Sequence, residues 1–500
     1  AGWLLFQSRS KTALATIVLG AGLLVTAWRM RAWLAANARR AFWGAVVLIG
    51  VATAAVVGHG LYHKTLFHET LTFRWQYWTG AMGLVARHPV VGVGMDNFGA
   101  HYLSTRLPEA PEEVADPHNL LVKYAAELGL VGLLLGLAWL GRLAWELTRP
   151  VGPTAAPEQL PSAKARVGAM PRASAIKVVS VIAGLAIAIN VLANLDLATG
   201  TLDGGDLLLD GLRRAMMLAV ILIGATAAAV RSLKAPDVDE RPAPLVLYAI
   251  LAGLAVFVLH NLLDFSMSEP GPLWLFALLA GAALGVRQPS VAGQRRRTAV
   301  AAIALGVGVT SWLVSALFVW VPVAQAEDAA RRAAVELAAR DDKGNAPFGA
   351  VERAAKLLAD ARDAVRYNAD YPFRAALALR LRPGFNPEVV NQLGLAIKTD
   401  PARYEYYRER ARYLIETGQA SAQADRVRAE FARALALNPN FVAMRLEYAD
   451  FLASIGDKPG AISQYEAALG YDAQLKANEP KRLGAGEVEA VKRKIAGLRG

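Results

Sequence analysis

The residues best suited to chemistry lie between positions 74 and 132, in a stretch that contains an arginine, a Gly-x-Gly turn and an Asp-Pro-His-Asn run. Arg74 begins a segment with the apolar spacing of an amphipathic helix. Arginine stays ionised and binds phosphate oxygens through a planar fork of donors. Histidine, here His118, is the residue type that titrates near neutral pH in its unperturbed form, and it is the commonest general base in enzymes. The stretch therefore offers anion binding together with proton transfer.

The position of His118 depends on a helix that begins near Pro117, because proline favours the first turn of a helix. Asp116 is then the candidate N-cap of that helix. His118 would lie at the edge of the apolar segment that follows. Either Asp116 or Asn119 could fix the orientation of the His118 ring.

The surrounding elements are apolar blocks of about 17–25 residues, the length that crosses a bilayer. Of the 500 residues, 55% are hydrophobic and 19% are charged, and none is cysteine, which excludes disulfides and thiolate nucleophiles. The sequence begins as if at the end of an apolar segment, so we expect further spans before it. The predicted spans are Thr12–Trp28, Ala41–Val57, His118–Trp145, Ala173–Leu192, Leu212–Val230, Leu245–Leu263, Gly271–Val286 and Ala299–Val321.

The loops between these spans differ in charge, and the difference predicts orientation. Lysine and arginine crowd the loops at 29–40, 142–172, 231–241 and 287–297. The loops at 194–211 and 264–272 contain neither residue. Because basic loops face the cytoplasm, we expect loop 58–117 and the chain after Val321 to lie outside it. The net charge of +12 is thus assigned to topology, and no nucleic-acid partner is expected.

The C-terminal third, which lacks long apolar runs, shows a repeat. Gly456 supplies a turn between two helices, and Ala461, Tyr465 and Ala468 follow on one face of the second helix. Phe431 stands 34 residues before Tyr465, and 34 is the period of tetratricopeptide repeats. A plain helical bundle is the alternative. Repeat stacks bind peptides or partner proteins, so a protein partner for the tail is expected.

The predicted fold class is therefore all-α, with two domains. Residues 1–322 form a polytopic transmembrane helical bundle with an outer loop at 58–117. Residues 323–500 form a soluble helical-repeat domain outside the cytoplasm.

The membrane half resembles the O-antigen ligase and polymerase family of bacterial envelope biosynthesis. The resemblance is good over about residues 1–146 and weaker to about Val321, where it includes HNLLDF at 260–265. Its strength lies in the order and spacing of several short pieces. These are SRS at 8–10, RWQYW at 74–78, HPVVGVGMDNF at 88–98, HN at 118–119 and ELG at 127–129.

The resemblance implies a GT-C-like fold in the bacterial cytoplasmic membrane and transfer of a glycan from undecaprenyl-pyrophosphate to a hydroxyl acceptor. It implies no cofactor and no metal. The acceptor could be a growing polysaccharide, lipid A core or a protein side chain. Arg9 and Arg74 match the family's arginines and are assigned to the pyrophosphate. His118 matches its histidine and is assigned to the acceptor hydroxyl.

Other residues of the stretch have open alternatives. Arg87, His88 and Arg106 could contact the glycan or diphosphate, but we expect them to occupy solvated loop positions. Arg74 could be an interfacial anchor, Arg9 a charge flanking a span, and His118 an ordinary residue of a helix start. We expect turn positions for Gly92 and Gly94. We expect the membrane interface for the aromatic residues Trp75, Tyr77 and Trp78.

Two rival functions come from other classes. The chain could be a non-catalytic scaffold that acts through its tail, or a transporter with a site between broken helices. His260 and Asp264 lie four residues apart, which places them on one helix face near the outer end of a span, and we expect a hydrogen bond between them rather than a metal site.

Overall fold

The computed structural model describes residues 11–148, 244–287, 303–338 except 304, 305, 309 and 312, and 349–500. Regular structure in these ranges is entirely helical, which confirms the predicted all-α class. By contacts, residues 1–150 and 248–500 form one compact unit and residues 151–247 form another. The second unit lies almost wholly outside the described residues, as do Arg9 and the predicted spans Ala173–Leu192 and Leu212–Val230.

The N-terminal part consists of long apolar helices joined by a polar segment with shorter ones. Consecutive described helices are α1 (Lys11–Arg29), α2 (Arg31–His63), α3 (Glu69–Arg87), α4 (Phe98–Tyr102), α5 (Leu120–Thr148), α6 (Pro244–His260) and α7 (Pro270–Arg287).

Three helical stretches are long and apolar enough to cross a membrane: Arg39–His63, Leu120–Thr148 and Gly306–Ala338. They correspond to the predicted spans Ala41–Val57, His118–Trp145 and Ala299–Val321. Shorter apolar helices coincide with three more predicted spans, at Val18–Arg29, Ala249–His260 and Leu275–Leu284. The membrane-protein prediction is thereby supported by both length and composition.

Helix α5 is interrupted at Gly129, whose backbone has φ 68° and ψ −171°. That conformation is readily open only to glycine. A Cβ on Gly129 would also lie 2.2 Å from the carbonyl oxygen of Val90. The loop before α4 thus approaches the helix too closely for any side chain at this position.

Gly129→Ala is therefore expected to destabilise the protein by about 1–3 kcal/mol, the usual cost of a strained backbone position. The measurement is thermal unfolding in detergent. The matched control is Gly141→Ala in the same helix, where a Cβ meets no atom within 4 Å. Equal unfolding temperatures for the two variants would contradict the tight approach.

The C-terminal part is a series of helices in which consecutive members pack against each other. They are α8 (Val321–Ala338), α9 (Ala350–Ala364), α10 (Asp370–Leu379), α11 (Pro387–Thr399), α12 (Tyr404–Glu416), α13 (Ala424–Leu437), α14 (Val442–Ser454), α15 (Lys458–Asp472) and α16 (Ala485–Arg499).

The predicted features of the tail lie where the pattern placed them. Gly456 has φ 82° in the turn between α14 and α15. Ala461, Tyr465 and Ala468 are buried on one face of α15, and Phe431 is buried in α13. Paired helices with a buried small-residue face agree with a helical repeat, whose assignment as tetratricopeptide stays a prediction, as does the boundary at residue 322.

The tail also packs on the segment that precedes α5. Arg106 donates from Nη2 to Oδ1 of Asn438 at 3.1 Å, and Asn440 Nδ2 donates to the carbonyl oxygen of Arg106 at 2.7 Å. Glu113 lies 3.8 Å from Arg106 Nη1 and accepts a hydrogen bond from the Tyr404 hydroxyl at 3.4 Å. Since Arg106 and Asn438 are both buried, these contacts hold the segment firmly against the tail.

Asn438→Ala is expected to loosen this contact, because it leaves the buried Arg106 guanidinium without one of its acceptors at a cost of about 1–3 kcal/mol. Faster trypsin cleavage after Arg106 in the folded protein measures the effect. Asn391→Ala, at an exposed amide of α11, is the matched control. An unchanged cleavage rate in Asn438→Ala would show that the segment is held by other means.

Candidate functional site

Helix α3 supplies one wall of the site, and its sequence explains why it forms there. His68 caps the helix by accepting a hydrogen bond from the Thr70 amide at Nδ1, at 3.3 Å. Trp75 and Tyr77 are buried rather than placed at a membrane interface, so that prediction is wrong for these two residues. They pack inside the protein because the amphipathic face of α3 meets other helices of the fold.

Trp78 joins α3 to the turn that precedes α5. Its indole Nε1 donates to the carbonyl oxygen of Pro117 at 2.9 Å. Tyr77, one residue earlier, places its ring centroid 6.2 Å from that of His118. Because Arg74 lies one helical turn before these aromatic residues, the hydrogen bond brings the turn beside the arginine.

His118 sits in that turn with a left-handed backbone, φ 53°. Asp116 stabilises the turn by accepting the His118 amide at Oδ1, at 2.7 Å. Left-handed backbone is uncommon in residues other than glycine and persists only where neighbouring contacts enforce it. Asp116 therefore orients His118 through its main chain and not through the imidazole.

The N-cap of α5 is Asn119, which corrects the assignment of that position to Asp116. Asn119 Oδ1 accepts hydrogen bonds from the amides of Leu121 at 2.9 Å and Val122 at 3.1 Å. Its Nδ2 donates to the carbonyl oxygen of Leu262 at 2.9 Å. Both ends of the side chain are thus engaged with backbone, which fixes the helix start and leaves the His118 ring to other contacts.

The two candidate catalytic side chains lie within electrostatic reach of each other. Burial, and secondly the positive charge of Arg74, lower the pKa of His118 below its usual value of 6.5. Burial also lowers the pKa of Arg74, against the opposing effect of Asp264. His118 is thereby neutral at physiological pH, the form that accepts a proton.

Both side chains also have unused bonding capacity. Arg74 is half-buried and makes no hydrogen bond or ion pair with any described residue. His118 Nδ1 is buried and without a hydrogen-bond partner in the same part of the chain. Buried polar groups are nearly always paired, so the buried Nδ1 of His118 without a partner among the described residues, next to a half-buried arginine, points to a ligand site.

The segment after α6 forms the opposite wall. His260 Nε2 and Asp264 Oδ2 are 2.8 Å apart, which confirms the expected hydrogen bond. Helix α6 ends at His260, however, so Asp264 lies beyond the helix and not on its face. The Leu120 amide donates to the Asn261 carbonyl at 2.8 Å, and the rings of His118 and Phe265 contact edge-on at 5.1 Å.

A buried lysine that the sequence reading did not single out ties the site together. Lys123 has 5% of its side chain exposed and contacts Asp96 Oδ1 at 3.0 Å and Asp116 Oδ2 at 2.8 Å. Glu127 Oε2 lies 3.8 Å from the same ammonium group. Asp116 is thus fixed from one side by Lys123 and holds the His118 turn with its other oxygen. The sequence feature that could have identified Lys123 is its position as an ionisable residue inside the predicted span His118–Trp145.

The remaining candidates lie elsewhere. Arg87 and His88 are at the far end of α3, about 20 Å along the helix axis from Arg74. Arg87 donates to Ser104 Oγ at 3.1 Å, and His88 is exposed. The structure therefore does not bring these two residues to the Arg74–His118 pair. Arg9 lies outside the described residues.

The described residues contain no cluster of three or more histidine, aspartate or glutamate side chains placed to hold a metal ion. His260 and Asp264 make a pair without a third ligand there.

Comparison with known proteins relates the N-terminal part of the chain to a family. Residues 1–137 match the family model described as O-Antigen ligase, a range that includes Arg74, His118 and Asn119. No match is found among curated proteins. The match and the apolar helices together support a membrane protein with an O-antigen ligase domain at residues 1–137, and hence a ligase or polymerase type of function.

Proposed function

We propose that the protein transfers a glycan from undecaprenyl-pyrophosphate to a hydroxyl acceptor at the outer face of the bacterial cytoplasmic membrane. The observation that carries the proposal is a half-buried Arg74 guanidinium, without a hydrogen bond or ion pair to any described residue, beside a neutral His118 whose buried Nδ1 has no hydrogen-bond partner there either. The O-antigen ligase match over residues 1–137 supplies the reaction class. The loop charges support the orientation, with the tail outside the cytoplasm.

The reaction requires removal of a proton from the acceptor hydroxyl and stabilisation of the negative charge that develops on the leaving pyrophosphate. The acceptor hydroxyl oxygen attacks the anomeric carbon, its proton passes to His118, and the bond between that carbon and the pyrophosphate oxygen breaks. The bonding pair leaves with the pyrophosphate, and Arg74 stabilises the negative charge that develops there. The imidazolium then releases its proton to solvent. None of these reaction steps requires a metal, in agreement with the metal-independent reaction that the family resemblance implies.

Other residues of the site act through these two. Asp116 holds the turn of His118, and Asn119 fixes the start of α5. We assign both to positioning, and we assign Arg9, by resemblance alone, to the pyrophosphate. Arg87 and His88 are too far from Arg74 to share one phosphate with it, so any contact they make is with a more distant part of the glycan.

The acceptor is a polysaccharide, lipid A core or a protein. The tail packs on the segment near Arg106, which supports a role for the tail close to the transfer site. Such a role favours a protein as partner or acceptor. The rival is a scaffold that only binds partners through the tail.

Transfer by the purified chain in liposomes tests the proposal. The donor is undecaprenyl-pyrophosphate carrying a labelled saccharide, and each acceptor class is supplied in a separate reaction. A labelled product with one acceptor, insensitive to EDTA, is expected. Absence of product with all three, when a deletion strain also keeps its envelope glycans, would favour the scaffold.

A further inference from the structure

The loop between α3 and α4 has an unusually apolar tip. Residues 89–95 read PVVGVGM and contain no polar side chain, between His88 on one side and Asp96 on the other. Val90, Val91 and Met95 are 61%, 72% and 50% exposed. An aqueous loop normally carries polar side chains, so this composition points to a different environment.

The backbone of the tip is satisfied by the helix that it touches. The interruption of α5 at Gly129 frees peptide groups on both sides. The Leu130 amide donates to the Pro89 carbonyl at 2.8 Å, and the Gly94 amide donates to the Glu127 carbonyl at 2.8 Å. The Val93 amide donates to Ala126, at 3.0 Å. Non-helical backbone is tolerated at membrane depth only when protein groups satisfy it in this way.

The exposed side chains of the tip continue the exposed apolar surface of a candidate membrane span. Leu130, Val131, Leu134 and Leu135 of the candidate span Leu120–Thr148 are exposed. The tip pairs with residues 126–131 of that helix, about 9–16 Å along the axis from its first residue. This depth lies within reach of the boundary between headgroups and acyl chains.

The charged residues on either side of the tip, Arg87 and Asp96, each have a polar partner. Asp96 is paired with Lys123 at 3.0 Å, and Arg87 donates to Ser104. Residues 89–95 themselves contain no charged side chain, so their insertion would carry no charge into the hydrocarbon, which is the main cost of burying a loop in lipid.

We propose that residues 89–95 form a re-entrant loop whose tip contacts the lipid bilayer at the end of the membrane where α5 begins. Val90, Val91 and Met95 are the side chains in contact with lipid. The loop anchors the C-terminal end of α3 at a fixed depth, and α3 carries Arg74. This inference depends only on the membrane placement of α5 and not on the proposed transfer reaction.

The absence of cysteine in the chain makes a direct test simple. Val91→Cys in the full chain is labelled with bimane in detergent and reconstituted into phosphatidylcholine–phosphatidylglycerol vesicles. The fluorescence is expected to shift to the blue, to be quenched by spin-labelled lipid in the bilayer and to resist iodide present on both sides. Met95→Cys provides a second, independent position.

Tyr367→Cys is the matched control, because Tyr367 is 95% exposed in the tail. Its label is expected to be quenched by iodide and not by lipid. Iodide quenching at position 91 would place the tip in water and overturn the proposal. Resistance to both quenchers would show that another protein segment, or a second copy of the chain, covers the tip, and would overturn it equally.

Discussion

Replacing Arg74 with lysine is expected to lower the rate of glycan transfer by about 10²–10³-fold, the effect of removing one oriented donor to a developing negative charge. Lysine retains the positive charge but loses the planar fork that binds two phosphate oxygens at once. The half-buried position of Arg74, with no partner among the described residues, leaves the whole fork available to the departing pyrophosphate. The rate of labelled product formation in liposomes measures the effect.

The control is Arg362→Lys, the same substitution at an arginine of the tail that pairs with its neighbour Asp363. It is expected to leave transfer unchanged. Both variants must show the same elution profile and unfolding temperature in detergent. If Arg74→Lys is folded and fully active, the guanidinium does not stabilise the leaving group, and Arg74 is only an interfacial anchor.

The membrane helices could be predicted because the signal is local. Apolar runs such as Ala41–Val57 depend only on the composition of consecutive residues, and the structure places long helices there. The turn at Gly456 was equally accessible, since glycine is the residue that adopts a positive φ without steric cost.

The identity of the N-cap residue of α5 could not be predicted from the sequence in the same way. Asp116 and Asn119 are both good N-cap residues, and Pro117 favoured the first of them. The structure selects Asn119 because His118 adopts a left-handed backbone, which no helix continues. The Trp78 hydrogen bond to Pro117, a contact between residues 39 positions apart, also holds the turn in which His118 lies.

Contacts over long distances in sequence were the least predictable part. Arg106 is buried because Asn438 meets it across 332 positions, and nothing local distinguishes it from a solvated loop arginine. Lys123 gave a weak signal, as a lysine within an apolar segment, but its partners Asp96 and Asp116 become evident only in three dimensions.

His118→Ala is expected to reduce transfer by about 10²–10⁴-fold, the usual contribution of a positioned general base. Membrane insertion and the docking of the tail should be unaffected, because Asn119 caps α5 without the imidazole. A variant that is folded and fully active would remove the base assignment and strengthen the scaffold alternative.

The pH dependence separates a base from a merely structural histidine. The imidazole accepts a proton only when neutral, so transfer should fall as the pH drops through the pKa of His118. That pKa lies below 6.5 because of burial and then the Arg74 charge, so the acid limb of kcat/KM should have its midpoint below 6.5.

Arg74→Gln removes the nearby positive charge while the burial remains. The pKa of His118 should then rise toward 6.5, because the protonated imidazole is no longer repelled by the positive charge of a guanidinium. The acid limb of the residual activity should therefore move to higher pH, in addition to the loss of rate. If the midpoint of the acid limb is unchanged in Arg74→Gln, the titrating group is not His118. If the rate falls and the midpoint moves to higher pH, both side chains act in the same reaction.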